Sequence, residues 1–375
     1  MRVTRGHRVA VVKSAVLGVP AVALLMSAGV ASAATTQQAV KHLARPASAS
    51  SVTWHHLSLL NGWHAASGWG SPSYAINGGV VYLTGGLNQP TPGSKEFAVL
   101  PKAARPPHAM YMSVSGAAGV EVTLIIFRTG VMEMSNPTSN ARLFSLLAGV
   151  SYPAAGTTWH TLKLINGWKS AANTGANTGD PAYAIKNGIV YLSGSVWQPS
   201  GSNPTFAALP KAAMAGRKMY LTDFMANDTR GELIFETNGT VVAFAISGPQ
   251  SQAQGFTSLA AISYPAAGTK WHNLSLINGW STWSTVTGSA AYVIKNGIVY
   301  LKGAIQETSG SNAIFANLPS AARPVHVLTM PTLTGGGTYG YLALGPHPRI
   351  VVSSNPFSNA QSFASLSAIS YPVNS

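Results

Sequence analysis

The chain has 375 residues, with 23 lysines and arginines against nine acids, no cysteine, 46% hydrophobic residues and only 9% charged ones. That length suggests about two or three domains, and so apolar a chain can bury enough surface to offset its ordering entropy, which excludes a disordered protein. The lack of cysteine excludes a disulfide framework, thiolate-bound zinc and a cysteine nucleophile.

Residues 1–33 read as an export signal. Arg2, Arg5, Arg8 and Lys13 form a basic start, Ala15 to Val30 is apolar, and Ala31-Ser32-Ala33 supplies the small residues of a cleavage site. Pro20 and the shortness of the apolar stretch argue against a membrane anchor, which needs ~20 apolar residues. No later segment is apolar for long enough to span, so the expectation is a secreted, extracellular protein with no transmembrane segment in its mature chain. Residues 34–50 lack hydrophobic periodicity and are expected to form a loose tail.

From residue 51 onward the chain is a triplicate. Trp54-His55-His56-Leu57-Ser58-Leu59-Leu60-Asn61-Gly62-Trp63 returns with changes from Trp159 to Trp168 and from Trp271 to Trp280. Val81-Tyr82-Leu83, Val190-Tyr191-Leu192 and Val299-Tyr300-Leu301 recur at a spacing of 109, as do Phe97, Phe206 and Phe315. Each unit closes on Ser-Tyr-Pro, at Ser151, Ser263 and Ser370. A solenoid unit of about 20 to 50 residues cannot bury its own core, but one this long can. The predicted organisation is therefore three domains at 51–156, 157–268 and 269–375.

Inside each unit the periodicity is two. In the second, Tyr183 and Ile185 alternate with Ala184 and Lys186 before Asn187-Gly188, and Ile189-Val190-Tyr191-Leu192 follows; Gly78-Gly79 and Asn296-Gly297 hold the same place in the others. Such pairs mark two-residue hairpins, whose type I′ turn needs positive φ at both positions. A second hairpin is predicted where Glu232–Thr237 meets Thr240–Phe244 across Asn238-Gly239. Short strands separated by Gly, Pro, Asn and Ser, with no long helical pattern, predict an all-β chain of three tandem antiparallel β-sandwich, jelly-roll-like domains.

The order Trp-x-x-Leu-x-Leu, Asn-Gly-Trp, Tyr-x-Ile-x-Asn-Gly-Ile-Val-Tyr-Leu-x-Gly, then Leu-Pro-x-x-x-Arg-Pro resembles the β-sandwich domains at the C-terminal ends of long-tailed bacteriophage tail proteins. Arg105-Pro106 and Arg323-Pro324 match the last element, and the second repeat departs from it at Ala215-Gly216. The resemblance implies receptor-binding domains that recognise host-surface carbohydrate and assemble as trimers. An export signal is foreign to a tail protein, so the chain reads as a secreted bacterial protein using such a module.

The acids argue against catalysis. Glu96, Glu121, Glu133, Asp180, Asp223, Asp228, Glu232, Glu236 and Glu307 are all there are, and none lands on another acid at the 109-residue spacing; Glu121 falls on Arg230. A carboxylate pair repeated in every domain is impossible, which leaves Asp223, Asp228, Glu232 and Glu236 as a single acidic cluster whose spacing matches no calcium loop. His55, His160 and His272 recur without an acid to orient them, and are expected at the sheet edge bonded to backbone. His108 and His326 recur as Arg-Pro-x-His, with Arg217 in that place in the second repeat. The expectation is a non-enzyme with no metal site and no cofactor.

Aromatic residues carry the remaining signal. Trp54, Trp63, Trp159, Trp168, Trp271 and Trp280 sit at repeated positions, as core residues do, whereas Trp69, Trp197 and Trp283 occur once each in Gly/Ser-rich stretches. These last three are the candidate ligand-binding residues, since an exposed indole suits the apolar face of a sugar. The cations are scattered singly, which argues against a nucleic-acid partner and for adsorption to anionic polymers. The expected function is non-enzymatic binding of a cell-surface or extracellular glycan or anionic wall polymer; the alternative is a structural or self-associating coat protein. Triplication admits an open string of domains, which the opposite-end exits of many sandwiches favour, or an intramolecular pseudo-trimer, which the short Pro-Ala-Ala-Gly connections favour.

Overall fold

Uninterrupted apolar runs mark the strands at the centre of the molecule. Val80-Val81-Tyr82-Leu83 is buried throughout, as are Ile189–Leu192 and Ile298–Leu301, because each run is covered on both faces. Successive side chains of a strand point to opposite faces. Val81 and Leu83 thus enter the core of the first repeat with Trp63, Phe97 and Leu124, while Val80 and Tyr82 turn the other way to meet Ile189, Tyr191, Ile298 and Tyr300. The structure, a computed structural model, describes residues 52–135 and 139–375; the expected export signal at 1–33 and expected tail at 34–50 lie outside them.

The chain is all-β and antiparallel throughout. Each repeat contributes one four-stranded sheet. In the first this runs His55–His56, Ser73–Asn77, Val80–Thr84, Ser151–Pro153, and the same order recurs from His160 and from His272. Opposite it lies a second, larger antiparallel layer, eight-stranded in the second repeat, seven-stranded in the third, and divided into four and three strands in the first. The two layers of each repeat share one hydrophobic core, making a sandwich.

The recurring sequence signatures are fold-building devices. Gly78-Gly79, Asn187-Gly188 and Asn296-Gly297 all have positive φ, as a type I′ turn requires. At Asn238-Gly239 only the glycine does. The Glu236 amide donates to the Thr240 carbonyl and the Gly239 amide to Glu236, so this hairpin closes through a longer loop ending in a left-handed glycine. In Asn-Gly-Trp, the amides of Asn61, Asn166 and Asn278 each donate 2.9 Å to the carbonyls of Glu96, Thr205 and Ile314. Trp63, Trp168 and Trp280 are buried, and donate through Nε1 to Ser94, Asn203 and Asn312 at 3.0, 2.8 and 2.7 Å. Phe97, Phe206 and Phe315, on which they tilt, sit at a register shift in each repeat, where a bulge turns one extra side chain inward. The closing Ser-Tyr-Pro is explained by Tyr152, Tyr264 and Tyr371, each donating 2.8 Å to the carbonyl of Ala104, Ala213 or Ala322.

The repeats touch extensively, unlike the domains of an open string. Residues from all three share a central cluster that includes Tyr82, Tyr191 and Tyr300, and Trp54, Trp159 and Trp271 pack against its edge. Strands Met110–Ser115, Met219–Met225 and Leu328–Thr334 lie against one another. Two neighbouring repeats are joined covalently; the first and third are joined where Trp54 Nε1 donates to the Asn374 carbonyl at 3.1 Å and Asn374 Nδ2 donates back to Val52 at 2.8 Å. The first and second repeats each have a buried cluster of their own, while the cluster of the third is continuous with Ala117, Phe144, Leu146 and Ala148 of the first.

Candidate functional site

Positions 108, 217 and 326, one per repeat, all reach across to the next repeat. His108 lies against Gly179, where an added Cβ would stand 2.4 Å from the imidazole Cδ2. His326 meets Gly70 in the same way at 2.9 Å. Both glycines have positive φ, so the backbone at each point suits glycine twice over: for its conformation and for the ring beside it. Arg217 behaves differently. Its guanidinium lies 4.7 Å over the ring of Trp271, the Lys302 ammonium stands 5.0 Å from that ring, and Arg217 is buried. Burial lowers its pKa to about 10.

Two grooves follow from this geometry. The first, about 540 Å³, joins His108 and Arg128 of the first repeat to Trp159, Asn173, Asn177 and Asp180 of the second. The Ala109 amide, 3.0 Å from the Asn177 carbonyl, ties its two walls together, and Ser170 Oγ donates 2.7 Å to Asp180 and holds that carboxylate. The second groove, about 470 Å³, joins His326 of the third repeat to Trp54, His56, Gly68 and Ser71 of the first. Each groove pairs a half-buried indole with exposed hydrogen-bonding groups. At the third junction Arg217 and Lys302 cover the indole instead.

A second polar region runs along the centre. Glu121, Arg230 and Tyr339 occupy one repeated position, and there they meet: Arg230 Nε is 3.6 Å from Glu121 Oε2 and its guanidinium 5.4 Å from the Tyr339 ring. Burial pushes the Glu121 carboxyl up to about 8, against the lowering pull of Arg230. Asp223 is buried as well, and burial raises it, opposed by the Phe224 amide and reinforced by Glu121. Tyr82, Tyr191 and Tyr300 gather in the central cluster, and burial raises the pKa of all three phenols.

The structure places the three single tryptophans apart. Trp69 is half-buried, tilted on Phe144 at 4.6 Å, and packs against a core built from the first and third repeats. Trp283 makes edge contacts with Tyr220 of the second repeat and Phe363 of the third, at 6.0 and 4.9 Å. Trp197 is half-buried in strand Ser195–Trp197, paired with Lys169. No ring contact joins any two of them among the described residues. The junction indoles Trp54, Trp159 and Trp271, of which the first two line the grooves, are instead at repeated positions that the sequence assigned to the core. Their half-burial was hinted at by the exposed histidine that follows each, and the change from His108 to Arg217 and back to His326 marked the junction.

His55, His160 and His272 stand exposed on the edge strands, as expected, but each stacks on a cross-strand tyrosine, Tyr74, Tyr183 or Tyr292, at 5.2 to 5.3 Å, where a backbone bond was expected. The acids of the second repeat diverge. Asp223 pairs with Gly231 and Glu232 with Thr222, so the two stand on opposite faces of the sheet. Glu236 is bound to Lys218 at 2.7 Å, and Asp228 accepts from Thr123 at 3.1 Å. Among the described residues no group of three acids or histidines is placed to hold a metal, and no helix is long and apolar enough to cross a membrane. Comparison of the chain with known protein families, with curated proteins and with solved structures finds no match.

Proposed function

We propose that this is a secreted, non-enzymatic protein that binds a cell-surface or extracellular glycan, or an anionic wall polymer, in the two grooves between its repeats. The observation that carries the reading is the pairing of Trp159 with His108, Arg128, Asn173 and Asp180 in one groove. An indole offers the apolar face that a sugar ring stacks on, while the amides, imidazole, guanidinium and carboxylate supply donors and acceptors for its hydroxyls. Cations outnumber acids by 14 over the whole chain, which favours polymers carrying negative charge.

The reading extends to an intramolecular pseudo-trimer. Supporting it are the three equivalent tyrosines of the central cluster, the closure of Val52 on Asn374, and the reach of positions 108, 217 and 326 into the next repeat. The likeness of the repeat signatures to phage tail sandwich domains points the same way, towards a module that binds host-surface carbohydrate and assembles as trimers. The packing of Trp69 and Trp283 into the fold favours the alternative, a structural coat protein, because it removes two of the indoles expected to await a partner. A binding screen of the full chain against glycans and wall polymers, repeated with Trp159→Ala, separates the two. Binding that falls at least tenfold in the variant is expected; retention by no polymer, or binding indifferent to Trp159 and Trp54, rejects the groove reading.

A further inference from the structure

At one end of the central cluster the three hairpin turns surround a small cavity of about 130 Å³. Its rim carries Asn77, Lys186 and Lys295, which are the same position in the three repeats, and its inner wall includes the phenols of Tyr82, Tyr191 and Tyr300. Each rim side chain reaches over the turn of another repeat. Asn77 Nδ2 donates 3.1 Å to the Asn296 carbonyl, Lys186 Nζ donates 3.2 Å to the Gly79 carbonyl, and Lys295 Nζ stands 3.0 Å from where a Cβ on Gly188 would lie. No acid lines the cavity, and neither lysine forms an ion pair among the described residues. Two half-buried lysines therefore line one small space that holds no acid, an arrangement suited to an anion.

We propose that this cavity is a binding site for a tetrahedral oxyanion of the phosphate class, held by Lys186 and Lys295. Lys186 spends donors on Gly79 and, at 3.4 Å, on Thr157 Oγ1, which aims the ammonium. Lys295 makes no hydrogen bond among the described residues, leaving its three N–H groups for the ligand. The amides of Asn187 and Asn296 on the same rim supply further donors. The space is small and partly open, which suits a compact anion: free inorganic phosphate or the phosphomonoester end of a larger molecule. The site is separate from the grooves, and its test does not depend on them.

The experiment is thermal unfolding of the full chain titrated with inorganic phosphate, and in a second arm with glycerol phosphate, each against chloride at constant ionic strength. Ligand that binds only the folded state raises the midpoint in a saturable way. A saturable rise in wild type, with a dissociation constant at least tenfold weaker in Lys295→Gln, is the expected result. Asn77→Lys, which places a third ammonium at the equivalent position, is expected to tighten phosphate binding and serves as the test should Lys295→Gln not fold. A rise with both ligands shows a site open to an ester end, and a rise with inorganic phosphate alone shows a site for the free anion. Equal midpoints in phosphate and chloride, or phosphate dependence unchanged in both variants, overturns the proposal.

Discussion

The interior of each repeat and the faces where repeats meet have diverged very differently. Inside, the three repeats are near copies: Trp63 on Phe97, Trp168 on Phe206 and Trp280 on Phe315 at 5.7 to 6.0 Å, each indole with the same kind of carbonyl partner. Where the repeats meet, equivalent positions hold Glu121, Arg230 and Tyr339, or Asn77, Lys186 and Lys295, or His108, Arg217 and His326. At the centre the physical reason is that equivalent positions face one another, as Glu121, Arg230 and Tyr339 do. Three buried glutamates facing one another would repel, whereas Glu121 beside Arg230 attracts. A chain that carries all three repeats can fill such a position with three different residues, an option closed to three identical chains.

The strongest way to break this comparison is to damage an interior. Trp168→Ala removes a buried indole and leaves the Asn203 carbonyl without its donor, and is expected to cost about 3–5 kcal/mol. The equal-cost expectation extends to Trp63→Ala and Trp280→Ala, measured by chemical denaturation. A spread of more than about 2 kcal/mol among the three would show that the interiors are less alike than their contacts.

The converging charges come next. Glu121 in the unfolded chain ionises near pH ~4.3, and in the folded protein its pKa is pushed up to about 8. A folded-state pKa above the unfolded one means that the native state binds the extra proton, so the contribution to stability is complete below about pH 4.3 and is lost as pH rises towards 8. Asp223, raised in the same direction, adds to this slope, while Tyr339 and Ser115 stay uncharged around it. The shift of Glu121 alone corresponds to a loss of about 5 kcal/mol across that range. Glu121→Gln should flatten most of the descent, and Arg230→Ala should move it to higher pH, because the guanidinium is what lowers the carboxyl. Midpoints of thermal unfolding between pH 4 and 9 measure both.

What the sequence made legible divides along the same line. Turn pairs, period-two alternation and the repeated Trp, Phe and Tyr specify structure within a repeat, and those elements lie where they were expected. Junctions were harder to read because they join residues far apart in the chain. The burial of Val80 and Tyr82 on the second face of their strand was written in the unbroken apolar run, yet a run of four does not say what covers it. Trp159 looked like core because it repeats. It repeats because the junction does, and the indole is half-buried each time, facing a groove at two places and lying under Arg217 and Lys302 at the third.

Replacing the groove indoles should separate binding from stability. Trp159→Ala is expected to lower affinity for the bound polymer at least tenfold, about 1.4 kcal/mol, with a modest loss of stability. Trp271→Ala, under Arg217, is expected to leave binding unchanged and to destabilise the fold by about 1–2 kcal/mol, through lost packing and a buried cation deprived of its aromatic face. Isothermal titration and denaturation of the same two variants measure the contrast, and equal binding losses in both would erase the distinction between open and covered junctions.

The smallest change in stability belongs to Arg217→His, which gives the covered junction the residue found at the other two. Stacking of a desolvated guanidinium on an indole is worth up to about 2 kcal/mol. Against this, Nε and Nη2 of Arg217 are buried without hydrogen-bond partners among the described residues, and Nη1 donates to the Ala215 carbonyl at 3.2 Å. Relief of those unpaired donors offsets the lost stacking, so stability should change by less than about 1 kcal/mol. Binding should change more visibly. With the imidazole drawn towards Gly288, as His108 is towards Gly179 and His326 towards Gly70, the face of Trp271 opens and a third groove forms, lined by Lys302 where the others have Ser193 and Thr84. The expected stoichiometry for a monovalent oligosaccharide rises from two to three per chain. A value fixed at two in a folded Arg217→His protein would mean that Lys302 alone suffices to cover the indole, and Lys302→Ser in the same background would then be the change that opens it.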